Sequence, residues 1–311
     1  MWSELRPRVR GIYYALTQKR IAIHRQEQHQ PFFIVGSGRC GTTLLRRILQ
    51  ASPDVHIPPE NWGLAYVIRS FRQYGWYLDW EQIVEIVVAA HQHRTHEWFK
   101  HIDDPSPLLQ ETLEWSESER SLYRLIDHIY RYHGESVGAE FNRWGDKTPI
   151  NVNRMRGILR CFPDAKFINL VRDGVDVVHS WSRHEKYEGD VLQPARRWKN
   201  AVTVARKFAE QYPDKILNVR YEHLVREPEE AVLEICQFID LAYSERLLSR
   251  TDHYQEIEKA QSVVYFENAF RTITDENIGK GRRQMGKSKK KDIMPILNDT
   301  LSRHGYERLI N

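Results

Sequence analysis

The sequence predicts an α/β fold, a parallel sheet flanked by helices, and three observations carry that reading. Apolar runs of strand length recur along the chain, most are followed by a stretch with helical spacing, and residues suited to chemistry fall just after them. The candidate strands are residues 32–35, 55–57, 141–144, 167–171 and 216–219. In such sheets, ligand groups gather at the carboxyl ends of the strands.

The first strand leads into the most informative stretch, residues 31–49, PFFIVGSGRCGTTLLRRIL. Leu44, Leu45, Ile48 and Leu49 recur at helical spacing after the apolar run. Between them, Gly36, Gly38 and Gly41 let the backbone bend tightly with its N–H groups turned inward, an anion cradle at a helix N-terminus. Gly36, four residues and Gly41 fit the opening of the nucleoside triphosphatase loop, so the fold is P-loop-like, but Thr42 stands where that loop requires lysine. Arg39 and the hydroxyls of Thr42 and Thr43 replace the lysine and magnesium ligand. The expected ligand is phosphate-like without being a magnesium triphosphate. The plainer reading is a glycine turn inside any α/β fold.

The fourth strand sits in residues 165–181, AKFINLVRDGVDVVHSW. Arg172 ends the strand and Ser180 falls about two turns into the following helix, so both side chains can converge on one anion. The alternative is a helix cap in which Arg172 pairs with Asp173 or Asp176.

Two charged residues follow the second and third strands. In residues 51–62, ASPDVHIPPENW, Pro58 and Pro59 stop the strand and push Glu60 out at its end, with His56 close by. Lys147 lies in residues 144–149, WGDKTP, where a short strand ends, Pro149 breaks it and helix resumes near Asn151. Glu60 alternatively opens the helix of residues 62–71, and Lys147 alternatively pairs only with Asp146. The fifth strand runs into Tyr221 within ILNVRYEHLV, and residues 277–287 read NIGKGRRQMGK. Tyr221 alternatively tips the core, and the basic run, continuing through Lys291, alternatively forms a solvated loop.

Taken together, S-x-R-x-G-T-T-L-L, R-D-G-x(5)-S, the glutamate after the second strand and the K-T-P element resemble the sulfotransferases that use 3′-phosphoadenosine 5′-phosphosulfate (PAPS). The tyrosylprotein sulfotransferase-like group is the most similar, with the loop P-R-S-G-T-T. This chain has Gly38 for the proline and Cys40 for the serine. One hydroxyl is lost and the backbone donors remain. The resemblance implies that Gly38, Arg39, Cys40, Gly41, Thr42 and Thr43 hold the 5′-phosphosulfate, and that Arg172 and Ser180 hold the 3′-phosphate. It further implies that Glu60 is the general base, although many cytosolic members use histidine, and that Lys147 and Arg39 neutralise charge on the departing 3′-phosphoadenosine 5′-phosphate (PAP). Tyr221 falls near the nucleotide, and Arg283 and Lys287 lie in a stretch that closes over it. The co-substrate is then PAPS, the acceptor a hydroxyl on a peptide, glycan or small molecule, and no metal is required. A P-loop phosphotransferase and a non-catalytic nucleotide-binding protein are the alternatives.

The rest of the chain fits one soluble enzyme of residues 1–311. With 311 residues, 41% of them hydrophobic, it can bury a substantial core, and no apolar stretch approaches a membrane span. Residues 62–133 are helical in texture, with amphipathic stretches at 81–90 and 117–132, and are expected as a lid over the acceptor site. In residues 1–30, Trp2, Leu5, Val9, Ile12 and Leu16 recur at helical spacing among arginines and lysines. Such a basic amphipathic helix suits either packing on the domain or peripheral contact with an anionic membrane. Three scattered cysteines favour a reducing, cytoplasmic setting, and His91, His93 and His96 lack a metal-binding pattern. A formal net charge of +4 needs no nucleic acid to explain it. The oligomeric state is not set by the sequence.

Overall fold

The computed structural model describes residues 20–94, 102, 104–249 and 273–310. Along them the chain forms β1 (Phe32–Gly36), α1 (Thr42–Gln50), β2 (Val55–His56), α2 (Leu64–Tyr74), α3 (Trp80–Arg94), α4 (Ser106–Leu113) and α5 (Leu122–Ser136). It continues through β3 (Arg143–Lys147), α6 (Met155–Cys161), β4 (Lys166–Val171), α7 (Gly174–Trp181), α8 (Leu192–Gln211), β5 (Ile216–Arg220), α9 (Tyr221–Arg226), α10 (Pro228–Ile239), α11 (Lys280–Gln284) and α12 (Lys287–Arg303). The described strand pairs, β1 with β4, β4 with β5 and β2 with β3, are all parallel. Parallel neighbours need crossover connections, and here helices supply them, which is the predicted α/β class.

The described residues form two compact units. One holds Asp54–Thr148, Arg154–Ala165 and the residues before Phe32; the other holds Phe32–Pro53, Pro149–Asn153 and the residues from Lys166 onwards.

In the second unit β4 is central, with Phe32 opposite Lys166 and Gly36 opposite Leu170 on one side, and Phe167 opposite Ile216 on the other. All five residues of β1 are buried, as the unbroken apolar run requires. Phe33 stacks on Phe167 at 5.3 Å, and Phe208 of α8 meets Phe167 edge-on at the same distance. This register brings the residues after Gly36 and those after Leu170 out at the same end of the strands. The glycine loop and Arg172 are therefore neighbours by construction.

The first unit joins β2 and β3, Val55 opposite Arg143 and His56 opposite Trp144, to helices α2 to α6. Its core centres on Trp144 and Tyr130, stacked at 3.8 Å, with Phe162 against the Trp144 edge. The structure shifts three expected boundaries here. β3 runs through Gly145, Asp146 and Lys147 instead of ending at Trp144, because its polar end is buried in hydrogen bonds rather than exposed. α5 starts at Leu122 and not at Glu117, because the Ser121 side chain caps it by accepting from the Arg124 N–H. α2 starts at Leu64, where the Asn61 side chain accepts from the Gly63 and Leu64 N–H groups.

Within residues 62–133 the described residues form α2, α3, α4 and most of α5. The expected N-terminal helix has Trp2, Leu5, Val9, Ile12 and Leu16 outside the described residues. Residues 20–30, expected to continue it, form no helix and make an isolated bridge from Ala22 to Ser121. Among the described residues, no helix is long and apolar enough to cross a membrane.

Candidate functional site

In the second unit the loop after β1 is shaped by three left-handed residues, Gly38 at φ 77°, Arg39 at φ 56° and Gly41 at φ 99°. A side chain is disfavoured in that region by roughly 1–2 kcal/mol, so Arg39 is held there by its surroundings. Gly41 has a further constraint, since a Cβ on it would sit 2.5 Å from the Tyr221 ring. The turn leaves the first N–H groups of α1 free of any side-chain cap. Free N–H groups at a helix start are the basis of anion binding. Thr42 is buried and Thr43 half-buried at the mouth of this turn, while Cys40 is wholly buried. Burial pushes the Cys40 thiol up in pKa. Cys40 can therefore serve a ligand through its backbone alone.

Arg172, Ser180 and Arg39 come together, though not as two side chains on one point. Arg39 Nε donates to Ser180 Oγ at 3.1 Å, and Arg172 Nη1 donates to the Arg39 carbonyl at 3.3 Å. Arg172 is set from every side. The Trp198 indole of α8 donates to its carbonyl at 3.0 Å, its guanidinium lies 4.5 Å over the Tyr221 ring, and Asp176 stands 3.7 Å away. The helix-cap alternative holds in part, since Asp173 caps α7 by accepting from the Val175 N–H at 2.7 Å.

Two donors beside this loop have no hydrogen-bond partner among the described residues: Arg172 Nε and Trp181 Nε1, both buried. The Trp181 ring lies 2.8 Å from where a Gly38 Cβ would stand. A buried donor left unpaired costs about 1–3 kcal/mol, so two of them beside an uncapped helix start mark a place for an acceptor-rich ligand. Tyr221 sits where expected, its hydroxyl raised in pKa chiefly by burial.

The C-terminal basic stretch differs from expectation. It forms α11 and the start of α12 instead of a loop, and Arg283 spends its guanidinium on the Ile278 and Glu276 carbonyls at 2.8 and 3.3 Å. Lys287 is exposed at the first position of α12. Neither is directed at the glycine loop or at Arg172 by a described contact, whereas the Asn277 carbonyl accepts from Arg172 Nη2 at 2.5 Å.

In the first unit Glu60 and Lys147 meet directly, Nζ to Oε1 at 2.7 Å, with Lys147 3% and Glu60 30% exposed at the side chain. The neighbouring residues tie the two segments together. Asn61 N–H donates to Thr148 Oγ1 at 2.8 Å, Asn61 Nδ2 donates to the Tyr130 hydroxyl at 2.9 Å, and Tyr130 and Thr148 both donate to Asp146 Oδ2. Burial first, and Asp146 second, raises the Tyr130 pKa well above its ordinary value. Asp146 is thus a partner of Tyr130 and Thr148, and the lysine's carboxylate is Glu60. His56 is buried against His133, ring nitrogens 3.0 Å apart, and is not presented as Glu60 is. Asn61, Tyr130 and Thr148 escaped the sequence reading, and Asp146 entered it only as an alternative partner for Lys147; Asn61 and Thr148 are chain neighbours of the charged pair, which was the available signal.

A glycine turn opening a helix after a parallel strand, faced by a buried arginine from the adjacent strand, defines an α/β protein of the phosphate-handling class. The family model described as "Sulfotransferase family" matches residues 31–245. The chain belongs to the sulfotransferase family. It is 28% identical over 237 residues to a putative protein-tyrosine sulfotransferase of Caenorhabditis briggsae, covering 75% of this chain and 71% of that protein. With the protein-tyrosine sulfotransferase of Drosophila melanogaster it shares 26% over 261 residues, 82% of this chain but only 46% of the fly protein. The solved sulfotransferase domain of the Synechococcus PCC 7002 olefin synthase superposes with a TM-score of 0.60 at 20% identity, covering 92% of this chain and 99% of that domain. That likeness is one of fold.

Proposed function

We propose that this sulfotransferase moves a sulfonate group from PAPS to an acceptor hydroxyl. The observation that carries the donor assignment is the pair of unpartnered buried donors, Arg172 Nε and Trp181 Nε1, beside the uncapped turn of residues 36–43. A nucleotide with phosphate at its 3′ and 5′ positions fits this donor set. The 5′-phosphosulfate belongs on the backbone N–H groups of Gly38 to Thr43, and the 3′-phosphate on Arg172 and Ser180.

In the reaction the acceptor oxygen attacks sulfur as its proton passes to Glu60. The bond from sulfur to the bridging oxygen breaks, and PAP leaves with the electron pair. Arg39 and Lys147 stabilise the charge that develops on it, a kind of help worth about 3–4 kcal/mol per donor. This reading assigns no metal, because those two cations supply the positive charge. The names of the curated relatives favour a tyrosine hydroxyl as the acceptor, with glycans and small molecules as further candidates. Cys40, Cys161 and Cys236 are all free and buried, which supports a reducing compartment such as the cytoplasm.

The test is transfer from radiolabelled PAPS in magnesium-free buffer, with the label followed into protein, glycan and lipid fractions. Glu60→Gln and Lys147→Ala are expected to keep PAP binding and lose at least 100-fold in turnover. Full activity in both variants would overturn these roles, and binding of ATP with magnesium in preference to PAP would overturn the donor.

A further inference from the structure

The carboxylate of Asp176 is wholly buried. It lies one turn into α7, four residues after Arg172, and both of its oxygens are used. Oδ2 accepts from the Gly279 N–H and Oδ1 from the Gly281 N–H, each at 2.7 Å, while Arg172 Nη2 stands 3.7 Å from Oδ2. Two backbone donors on one buried carboxylate are charge-assisted bonds, stronger and more directional than neutral ones. They dock residues 277–281 onto the start of α7.

The docked segment then acts on Arg172. Asn277 precedes the clamped glycines, and its carbonyl accepts from Arg172 Nη2. With Nη1 on the Arg39 carbonyl, both terminal nitrogens are held, and Nε has no partner among the described residues. A second anchor holds the far end, where Arg282 Nε meets Asp173 Oδ2 at 2.7 Å. The approach is too close for any side chain at position 281, because a Cβ there would stand 2.4 Å from the Val175 carbonyl oxygen.

We infer that Asp176 is a positioning residue for the donor: it clamps the Asn277–Gly281 segment on α7, and through the Asn277 carbonyl sets the Arg172 guanidinium before the nucleotide arrives. This rests on the donor reading above and adds that affinity for the 3′-phosphate depends on a carboxylate that never touches it. Preorganisation of this kind acts on binding, since the cost of ordering the segment is met in the free protein.

Two variants break the clamp from opposite sides. Asp176→Asn removes one acceptor and the charge; Gly281→Ala keeps every charge and blocks the approach sterically, so it serves if the first fails to fold. In the ligand-free full chain, hydrogen exchange of the backbone amides at positions 279 and 281 is expected to accelerate at least tenfold in both. The KM for PAPS and the dissociation constant of PAP should rise at least tenfold, while kcat falls less than threefold. Exchange unchanged from wild type would overturn the clamp itself. Faster exchange with PAP affinity within twofold would overturn its link to the donor. Failure of the wild-type chain to bind PAP is a separate result that removes the donor reading, and the exchange measurement still decides whether the clamp exists.

Discussion

The loop of residues 36–43 is built from backbone, whereas Glu60 and Lys147 are held by side chains. Three left-handed residues and an uncapped helix start make the loop, the Cys40 side chain is buried, and Tyr221 and Trp181 from other elements brace the turn from outside. The charged pair instead depends on the Asn61, Tyr130, Asp146 and Thr148 hydrogen bonds that join the segments on which it stands. A backbone device is damaged by adding atoms. A side-chain device is damaged by removing them. The two regions therefore answer to opposite kinds of substitution.

The largest stability effect expected separates the units by pH. In the first unit His91 of α3 is buried, and desolvation lowers its pKa from 6.5 to about 4 despite its bond to the Val87 carbonyl. The folded state thus binds fewer protons than the unfolded one. Its stabilising contribution is full above pH 6.5 and declines as pH falls towards 4, by about 3 kcal/mol in all. Urea midpoints at pH 7 and pH 4.5 are expected to differ accordingly, and His91→Leu should flatten that difference. An unchanged slope in the variant would break this part of the comparison.

Adding one carbon to the loop comes next. Gly41→Ala is expected to cost about 2 kcal/mol, from the left-handed backbone and the contact with Tyr221, and to abolish PAP binding. A loss below about 0.5 kcal/mol with binding intact would show that the loop tolerates side chains. Removing atoms from the other region has a smaller effect. Asn61→Ala deletes the α2 cap and the link to Tyr130 and should cost about 1–2 kcal/mol. In a double-mutant cycle with Tyr130→Phe the two losses should fail to add.

The same contrast explains what the sequence made legible. Backbone devices announce themselves, because the glycines, the apolar run of β1 and the helical spacing of α1 are all local. The strands at 32–35, 167–171 and 216–219 were readable for that reason, and parallel register then put Arg172 beside the loop. Side-chain networks are tertiary. Asp146 is Lys147's chain neighbour, yet the lysine's partner is Glu60, 87 positions away. The polar end of β3 read as a strand terminus because Gly145, Asp146 and Lys147 carry no apolar signal, although all three are buried. Arg283 illustrates the converse: a basic residue in a resembling stretch whose guanidinium serves its own turn, while the Asn277 backbone, invisible to any residue-type pattern, meets Arg172.

Recognition of a 3′-phosphate by Arg172 and its neighbours is the central step. Calorimetric titration in magnesium-free buffer with PAP and with adenosine 5′-phosphate isolates that group. Hydrogen bonds to charged groups contribute about 1.5–3 kcal/mol each, so PAP should bind at least 100-fold more tightly, with most of the difference lost in Arg172→Met. Equal affinity of the wild-type chain for the two nucleotides would contradict it.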